Sequence, residues 1–317
     1  MPKAASSHST PMARKTFAFS RKGGEVSAER RQRTAGSAKP ALQKAHPMSA
    51  SVPIELTRFE NGAREESRED VVAAEEPLEI RVEGQTVSVV MRTPGHDREL
   101  AAGFLLSEGI IKSAKDVFDI TTCVAAPGQG KGNAVDAALV RPETFDITRF
   151  SRHVVTSSSC GICGATSIES VLKAHAPLPI EWQIAPEVLF ALPARLTRRQ
   201  ETFRSTGGIH ACALFDRKGR FLALREDVGR HNALDKLIGW ALLKKRTPLR
   251  EHLVLLSGRA SFEMMQKAHS AGIAMVAAIS APSSLAVEFA RASGQTLAGF
   301  LRGRSMNVYA GAQRFSG

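Results

Sequence analysis

Apolar and charged residues alternate where ordered structure is expected to begin, at about Pro77. Leu78, Ile80 and Val82 alternate with polar neighbours, Glu83-Gly84 interrupts, and Val87, Val89 and Met91 resume the period of two. This pattern predicts a hairpin with one buried face. Thr93-Pro94-Gly95 stops it, and Asp97 is placed to cap a helix through Leu100, Phe104 and Leu105 to Gly109. Two more strands are expected over 117–123 and 134–140. The Gly-rich loop Pro127–Gly132 between them fits no phosphate-loop pattern. The charged stretch 61–76 reads as a loop. Residues 51–150 are thus expected to form a small α+β domain.

The second half has a different rhythm. Ala211, Ala213 and Phe215 alternate, Asp216–Gly219 turns the chain, and Phe221, Ala223 and Arg225 return. Asn232 is placed to cap a helix carrying Leu234, Leu237, Ile238, Ala241 and Leu242 at helical spacing. Short apolar runs at 253–256, 275–279 and 296–301 then alternate with helical segments at 261–271 and 284–292. Single helices between apolar runs predict βαβ units and a parallel sheet covered on both faces, over 207–317. Residues 151–206 are left as a cysteine-bearing loop with linker helices.

Charge changes the picture at the N-terminus. The 317-residue chain carries a formal +12, and residues 1–50 hold ten Lys and Arg against Glu25 and Glu29. That tail has no β-branched run and reads as disordered. The remainder is only mildly basic, which suits a small anionic ligand better than a nucleic-acid footprint. Aromatic residues make up 6% of the chain, too few for a base-stacking platform, so a nucleic-acid partner is not expected. No apolar stretch has the length of a membrane span, and the first fifty residues contain no apolar export segment. A cytoplasmic, reducing location is expected.

Four cysteines in a chain this long are not a disulfide scaffold. Two of them form Cys160-Gly161-Ile162-Cys163 inside a Ser/Gly-rich loop. Thr166-Ser167-Ile168-Glu169 follows as a capping motif, so the pair precedes a predicted helix start, where thiolate is favoured over thiol. Zinc binding, dithiol redox chemistry and a sulfur relay all remain open on this spacing. Zinc would need two more ligands, and Cys123 and Cys212 form no second pair. No resident metal is expected.

Polar residues gather where the second-half strands end. Glu226–Asn232 packs two carboxylates, Arg230 and His231 between a strand and a helix. Ser257-Gly258-Arg259, Ser280–Ser284 and Arg302-Gly303-Arg304-Ser305 follow the three apolar runs. Gly207-Gly208 precedes His210 and suggests close approach of the backbone. Helix starts with Arg259, Arg302 and Arg304 beside them make anion sites, and their shared position predicts one crevice for a phosphorylated ligand.

With these motifs in view, the chain over about 76–315 resembles the formate dehydrogenase accessory sulfurtransferases, the FdhD family. Ser158–Gly164, Gly207–Ala211, Glu226–Lys236, Ser257–Lys267, Ser280–Glu288 and Gly299–Tyr309 carry the resemblance. It implies a deaminase-like, three-layer α/β C-terminal domain after the small α+β one. It also implies a sulfurtransferase working as a cytoplasmic homodimer. Sulfur would come from a cysteine desulfurase as a persulfide on Cys160, with Cys163 as its partner. It would pass to molybdenum bis(molybdopterin guanine dinucleotide), a bound substrate rather than a permanent cofactor, destined for a formate dehydrogenase catalytic subunit. Phe300, Leu301, Arg302, Gly303, Arg304 and Ser305 match the stretch assigned to cofactor binding. Ser257, Arg259 and His210 join them in the crevice read from the residues. The long basic tail has no counterpart in the family pattern. A zinc nucleoside deaminase is disfavoured, because His210 is followed by Ala211 and Cys212 and the general acid/base Glu is missing. A carrier that uses the arginines without the thiols is the remaining rival.

Overall fold

The computed structural model describes residues 49–123, 133–147, 176–179 and 181–316. The tail over 1–48, the Gly-rich loop Pro127–Gly132 and the segment bearing Cys160, Cys163 and Thr166–Glu169 lie outside them.

Structure begins earlier than the apolar alternation suggested. Strands β1 (Ser51–Glu60) and β2 (Ala63–Ala73) form an antiparallel ribbon, so the charged stretch 61–76 is largely strand rather than loop. Asn61 and Gly62 both take positive φ (51° and 83°), the backbone that a tight hairpin turn requires. Val52 faces Val72 across the pair, which outweighs the charged composition.

The expected hairpin is β3 (Glu76–Val82) and β4 (Gln85–Arg92). It joins β5 (Val117–Cys123) and β6 (Ala134–Leu139) in a sheet of order β4-β3-β6-β5. Leu78, Ile80, Val82, Val87, Val135 and Ala137 are buried on one face. Helix α1 (Asp97–Ser107) packs there through Leu100, Ala101 and Leu105. Its N-cap is His96, not Asp97. Asp97 instead holds the buried Arg92 guanidinium through two hydrogen bonds of 2.9 and 3.0 Å.

Short helices α2 (Pro186–Phe190), α3 (Leu192–Thr197) and α4 (Glu201–Thr206) lead into the second sheet. Its strands are β7 (His210–Asp216), β8 (Phe221–Asp227), β9 (His252–Leu256), β10 (Met275–Ala278), β11 (Thr296–Arg302) and β12 (Ser305–Ala310), in the order β12-β11-β10-β9-β7-β8. Only β9, β10 and β11 run parallel; β7, β8 and β12 are antiparallel to their neighbours. The class is the mixed, layered α/β one expected, with a parallel centre and antiparallel margins. Helices α5 (Arg230–Leu243), α6 (Phe262–Ser270) and α7 (Ser284–Ala292) connect the strands. Their apolar residues line one core, shared with α1 and the first sheet. Leu189, Leu192, Leu196 and Trp182 cover the opposite face over Ala213, Phe215, Leu253, Leu255 and Met275.

The two sheets are tied by a helix crossing at glycine. A Cβ on Gly103 of α1 would lie 1.8 Å from the Asp235 carbonyl oxygen of α5. One on Gly239 would lie 1.7 Å from the Glu99 carbonyl oxygen. Both obstacles are backbone and cannot rotate away. Lys267 of α6 reinforces the crossing, reaching Asp235 (2.9 Å), Glu108 (3.0 Å) and the Ser107 hydroxyl (2.8 Å). Burial opposes its charge, but Asp235 and Glu108 outweigh burial and hold the ammonium above its ordinary pKa.

Gly239→Ala is expected to cost about 3 kcal/mol or more in urea unfolding, because overpacking here must push α1 and α5 away from each other. Gly208→Ala, with only a carbonyl at 3.8 Å, serves as control and should stay within about 1 kcal/mol. Equal midpoints for the two variants would contradict the close crossing.

Candidate functional site

The carboxyl ends of β9, β10 and β11 share one edge of the second sheet. Because β7 runs antiparallel to β9, its first residue, His210, lies at that edge, opposite Asp227 at the end of β8. The sequence-predicted residues His210, Ser257, Arg259 and Phe300–Ser305 therefore come to the same edge. Cys160 and Cys163 lie outside the described residues.

Ser257 extends the β7–β9 ladder rather than facing outward. Its N–H donates to the Ala211 carbonyl, and its hydroxyl accepts from the Ala211 N–H, both at 2.9 Å. Gly258 lies against the His210 ring, where a Cβ would be 3.3 Å from Nδ1. Arg259 is exposed. The next two turns are stitched together: Ala260 N–H donates to Ala281 O (3.2 Å) and Ser283 N–H to Ala260 O (3.0 Å). Ser283 caps α7, its hydroxyl accepting from Ala286 N–H. Ser261 sits at the N-cap of α6 with its hydroxyl oxygen buried and without a hydrogen-bond partner among the described residues.

The β11 end is irregular. Gly299 packs closely among Pro282, Tyr309 and the Ser280 carbonyl, which lie 3.0, 3.1 and 3.2 Å from where a Cβ would sit. Phe300 follows with φ +52°, a backbone rare outside glycine, and its N–H donates to Ser280 O at 3.1 Å. The kink breaks the β11–β12 register between Gly299 and Arg302. It exposes the Phe300 ring, which has the Arg302 guanidinium 5.9 Å from its centroid. Arg302 Nε donates to Ile279 O at 3.3 Å, and Arg304 is exposed beyond Gly303. Leu301 points the other way, fully buried in the second core, so it meets the edge only through its backbone.

The dense turn Glu226–Asn232 divides its labour. Glu226 accepts the Thr202 and Phe203 N–H groups, both at 3.0 Å, and so caps α4. Asp227 is wholly buried, 2.6 Å from Lys236, and accepts the Thr93 N–H at 3.1 Å. Lys236 in turn donates to Thr93 O at 2.7 Å, clamping the Thr93-Pro94 turn onto this edge. Asn232 is not the helix cap: Gly229 is, and Asn232 donates to Met91 O and Asp227. Arg230 and His231 remain near the edge. His231 pairs with Glu263 at 2.6 Å, and Arg230 Nε is buried without a hydrogen-bond partner among the described residues. Sequence reasoning marked this turn as too polar for a connector. It could not separate the clamp residues from Arg230 and His231, because both kinds are charged.

His210 shows the sign of the local field. Burial lowers its pKa most, then the positive charges of Arg230, His231 and Arg259, with Asp227 opposing. A neutral imidazole with cations around it means that the local field at this edge is positive. Cys212, two residues along β7, is buried, and burial followed by Asp235 and Asp227 drives its thiol pKa far up. It is no nucleophile.

The FdhD/NarQ family profile matches residues 73–316. A protein named sulfur carrier protein FdhD from Nocardia farcinica is 50% identical over 256 residues, spanning 80% of this chain and 90% of that one. A protein of the same name from Anaeromyxobacter dehalogenans is 45% identical over 274 residues, spanning 84% and 94%. A crystal structure from Desulfotalea psychrophila, described provisionally as a formate dehydrogenase accessory protein, superposes with a TM-score of 0.67. It is 24% identical and covers 84% of this chain and 100% of that one, a likeness that speaks for the fold. The layered sheets and the strand-end edge thus define a class, and the chain belongs to the FdhD/NarQ family.

His210 is expected to titrate below 6.5 in an NMR pH series, and Arg259→Ala should raise the midpoint by removing a nearby cation. Between the lowered folded value and 6.5 the unfolded chain binds more protons, so His210 costs stability as pH falls through that window and costs nothing above it. A midpoint at or above 6.5 would contradict the cationic field.

Proposed function

We propose that this chain is a sulfur carrier for formate dehydrogenase, moving sulfur on Cys160 to a molybdenum cofactor held at the strand-end edge. The observation that carries the reading is the edge itself. Arg259, Arg302 and Arg304 stand exposed around a neutral His210 and an outward Phe300 ring, beside the α6 and α7 starts. Backbone N–H groups at helix starts and guanidinium forks bind phosphate oxygens, and an aromatic face accepts a purine. A guanine dinucleotide offers both. The name its relatives share, sulfur carrier protein, supports the carrier role.

The Cys160 thiolate attacks the outer sulfur of a desulfurase persulfide, and the donor's thiolate leaves. Delivery as sulfide requires two electrons. The Cys163 thiol supplies them by forming a disulfide with Cys160, which frees the outer sulfur and its proton for the cofactor. A reductant then restores the dithiol. A sulfur transferase of this kind needs no resident metal. Cys212 takes no part, because its buried thiol stays protonated.

Two measurements check this reading. After incubation with a cysteine desulfurase and cysteine, the Cys160–Cys163 peptide should gain one sulfur by mass spectrometry, removable by reductant and absent in Cys160→Ala. An unmodified peptide beside an active desulfurase would favour a carrier that does not use its thiols. Separately, guanosine diphosphate should bind, and Arg302→Ala combined with Arg304→Ala should weaken it about tenfold or more. Unchanged affinity would remove the nucleotide from this edge.

A further inference from the structure

We propose that an arginine-rich face along the β8 side of the second sheet docks the protein that donates sulfur, through an acidic surface on that donor. The inference rests on the sulfur-carrier reading and adds the place where the donor sits. Arg195, Arg198, Arg199 and Arg204 fall within α3, α4 and the bend between them, and Lys218 lies in the β7–β8 turn. None of the five forms a salt bridge among the described residues. Arg217 and Arg220 differ, spending their charges on Glu251 (3.5 Å) and Asp216 (2.6 Å).

Three of the four guanidiniums are nevertheless held by hydrogen bonds. Arg195 donates to the Gly219 carbonyl, Arg199 to Arg195 O at 3.0 Å and Arg204 to Arg198 O at 3.2 Å. Arg199 also stacks over the Phe221 ring at 4.2 Å. Each keeps further donors free while its rotamer is already fixed, so less entropy is lost when a carboxylate binds. Phe203 stands 42% exposed in the same helix as Arg204. Ordered arginines around an exposed aromatic, outnumbering Glu201 of the same helix and Glu226, whose carboxylate caps it, match the composition of a protein-binding core.

Geometry selects the donor over the client. The client collects a cofactor from the strand-end edge and must face that edge. The face proposed here starts beside that edge at α4, which Glu226 caps, and runs along β8 to Arg195, Arg199 and Lys218 at the opposite end of the sheet. Gly219 and Phe221 lie at the far ends of β7 and β8, separated from His210 by the length of β7, about 20 Å. The chain downstream of Cys163 re-enters the described structure at that same far end. Leu178 N–H donates to Ser293 O (2.8 Å), just before β11, and the Trp182 indole donates to Arg250 O (2.8 Å), just before β9. A donor seated there is close to the chain that leads to the cysteines and leaves the anion edge free.

The test is calorimetric binding of the purified cysteine desulfurase of the same organism to the full chain, at low and high salt. The variant is Arg198→Glu/Arg204→Glu/Lys218→Glu, three exposed side chains whose one shared bond is Arg204 to Arg198 O. Wild type should lose affinity with salt, and the variant should bind at least about tenfold more weakly at low salt with an unchanged unfolding midpoint. Arg198→Lys/Arg204→Lys should keep most of the affinity. Wild-type binding in the reversed variant, or a wild-type complex indifferent to salt, would overturn the surface. Loading Cys160 with inorganic polysulfide reads the sulfur chemistry separately. Equal loading of both proteins beside lost donor binding supports the surface, whereas lost polysulfide loading in the variant assigns the defect to general damage and overturns it. Failure of polysulfide to load even wild type would sink the sulfur-carrier reading, and the salt and charge-reversal comparison would still decide the docking face.

Discussion

The arrangement of this protein depends on one contact between two helices. Gly103 and Gly239 bring α1 and α5 so close that each backbone fills the space a side chain would need on the other. That closeness lets α1 serve two sheets at once, and one continuous core runs from Leu78 and Ile80 to Val254 and Val276. It also sets the register for the charged groups around it. Lys267 spans Asp235, Glu108 and Ser107 at one end of the crossing, and Lys236 ties Asp227 to the Thr93 backbone at the other. A buried ion pair of this kind adds little stability over an apolar substitute, but breaking it is costly, so it fixes one arrangement against others. What it fixes here is the β8–α5 turn, and with it the position of Arg230 and His231.

The strand-end edge follows from that frame. Three parallel strands send their carboxyl ends, and the helices that follow, toward the same place, so exposed N–H groups and arginines accumulate without a dedicated binding domain. The Phe300 backbone adds a strained feature. A non-glycine residue at φ +52° persists because Gly299 is held by Pro282 and Tyr309 and because Phe300 N–H is bonded to Ser280. Strain of this kind gathers at sites that must present a side chain in one direction. Here it turns an aromatic ring outward beside Arg302.

Much of this is legible in the residues. Period-two alternation locates β3 and β4, and short apolar runs locate β9, β10 and β11 within a residue or two. The crevice is read from three polar turns following three apolar runs, and those turns do share an edge. The β1–β2 ribbon escapes such a reading because its charged composition outweighs the signal of the Asn61-Gly62 turn. The turn and return of β7 and β8 are legible, but the antiparallel pairing of β7 with β9 is not, because a period-two pattern does not report strand direction. Asp97 and Asn232 satisfy the local rules for caps, but tertiary partners claim them: Arg92 for the first, Met91 O and Asp227 for the second. The glycine crossing has no one-dimensional signature at all. A glycine inside a helix pattern looks like a cost until its neighbour is known.

Two cysteine environments separate the protein's thiol chemistry. Cys212 is sealed in the core between carboxylates and stays protonated, whereas Cys160 and Cys163 are embedded in Ser and Gly ahead of a capping motif. The central claim is that sulfur carried by Cys160 reaches the cofactor at the strand-end edge. It is tested most directly by loading the protein with isotopically labelled persulfide, removing the donor, adding the guanine dinucleotide form of the molybdenum cofactor and following the label in one turnover. The account predicts that the label leaves the Cys160 peptide and appears on the cofactor at matching rates, with a Cys160–Cys163 disulfide left behind. Label retained on the protein while the cofactor is bound would contradict it.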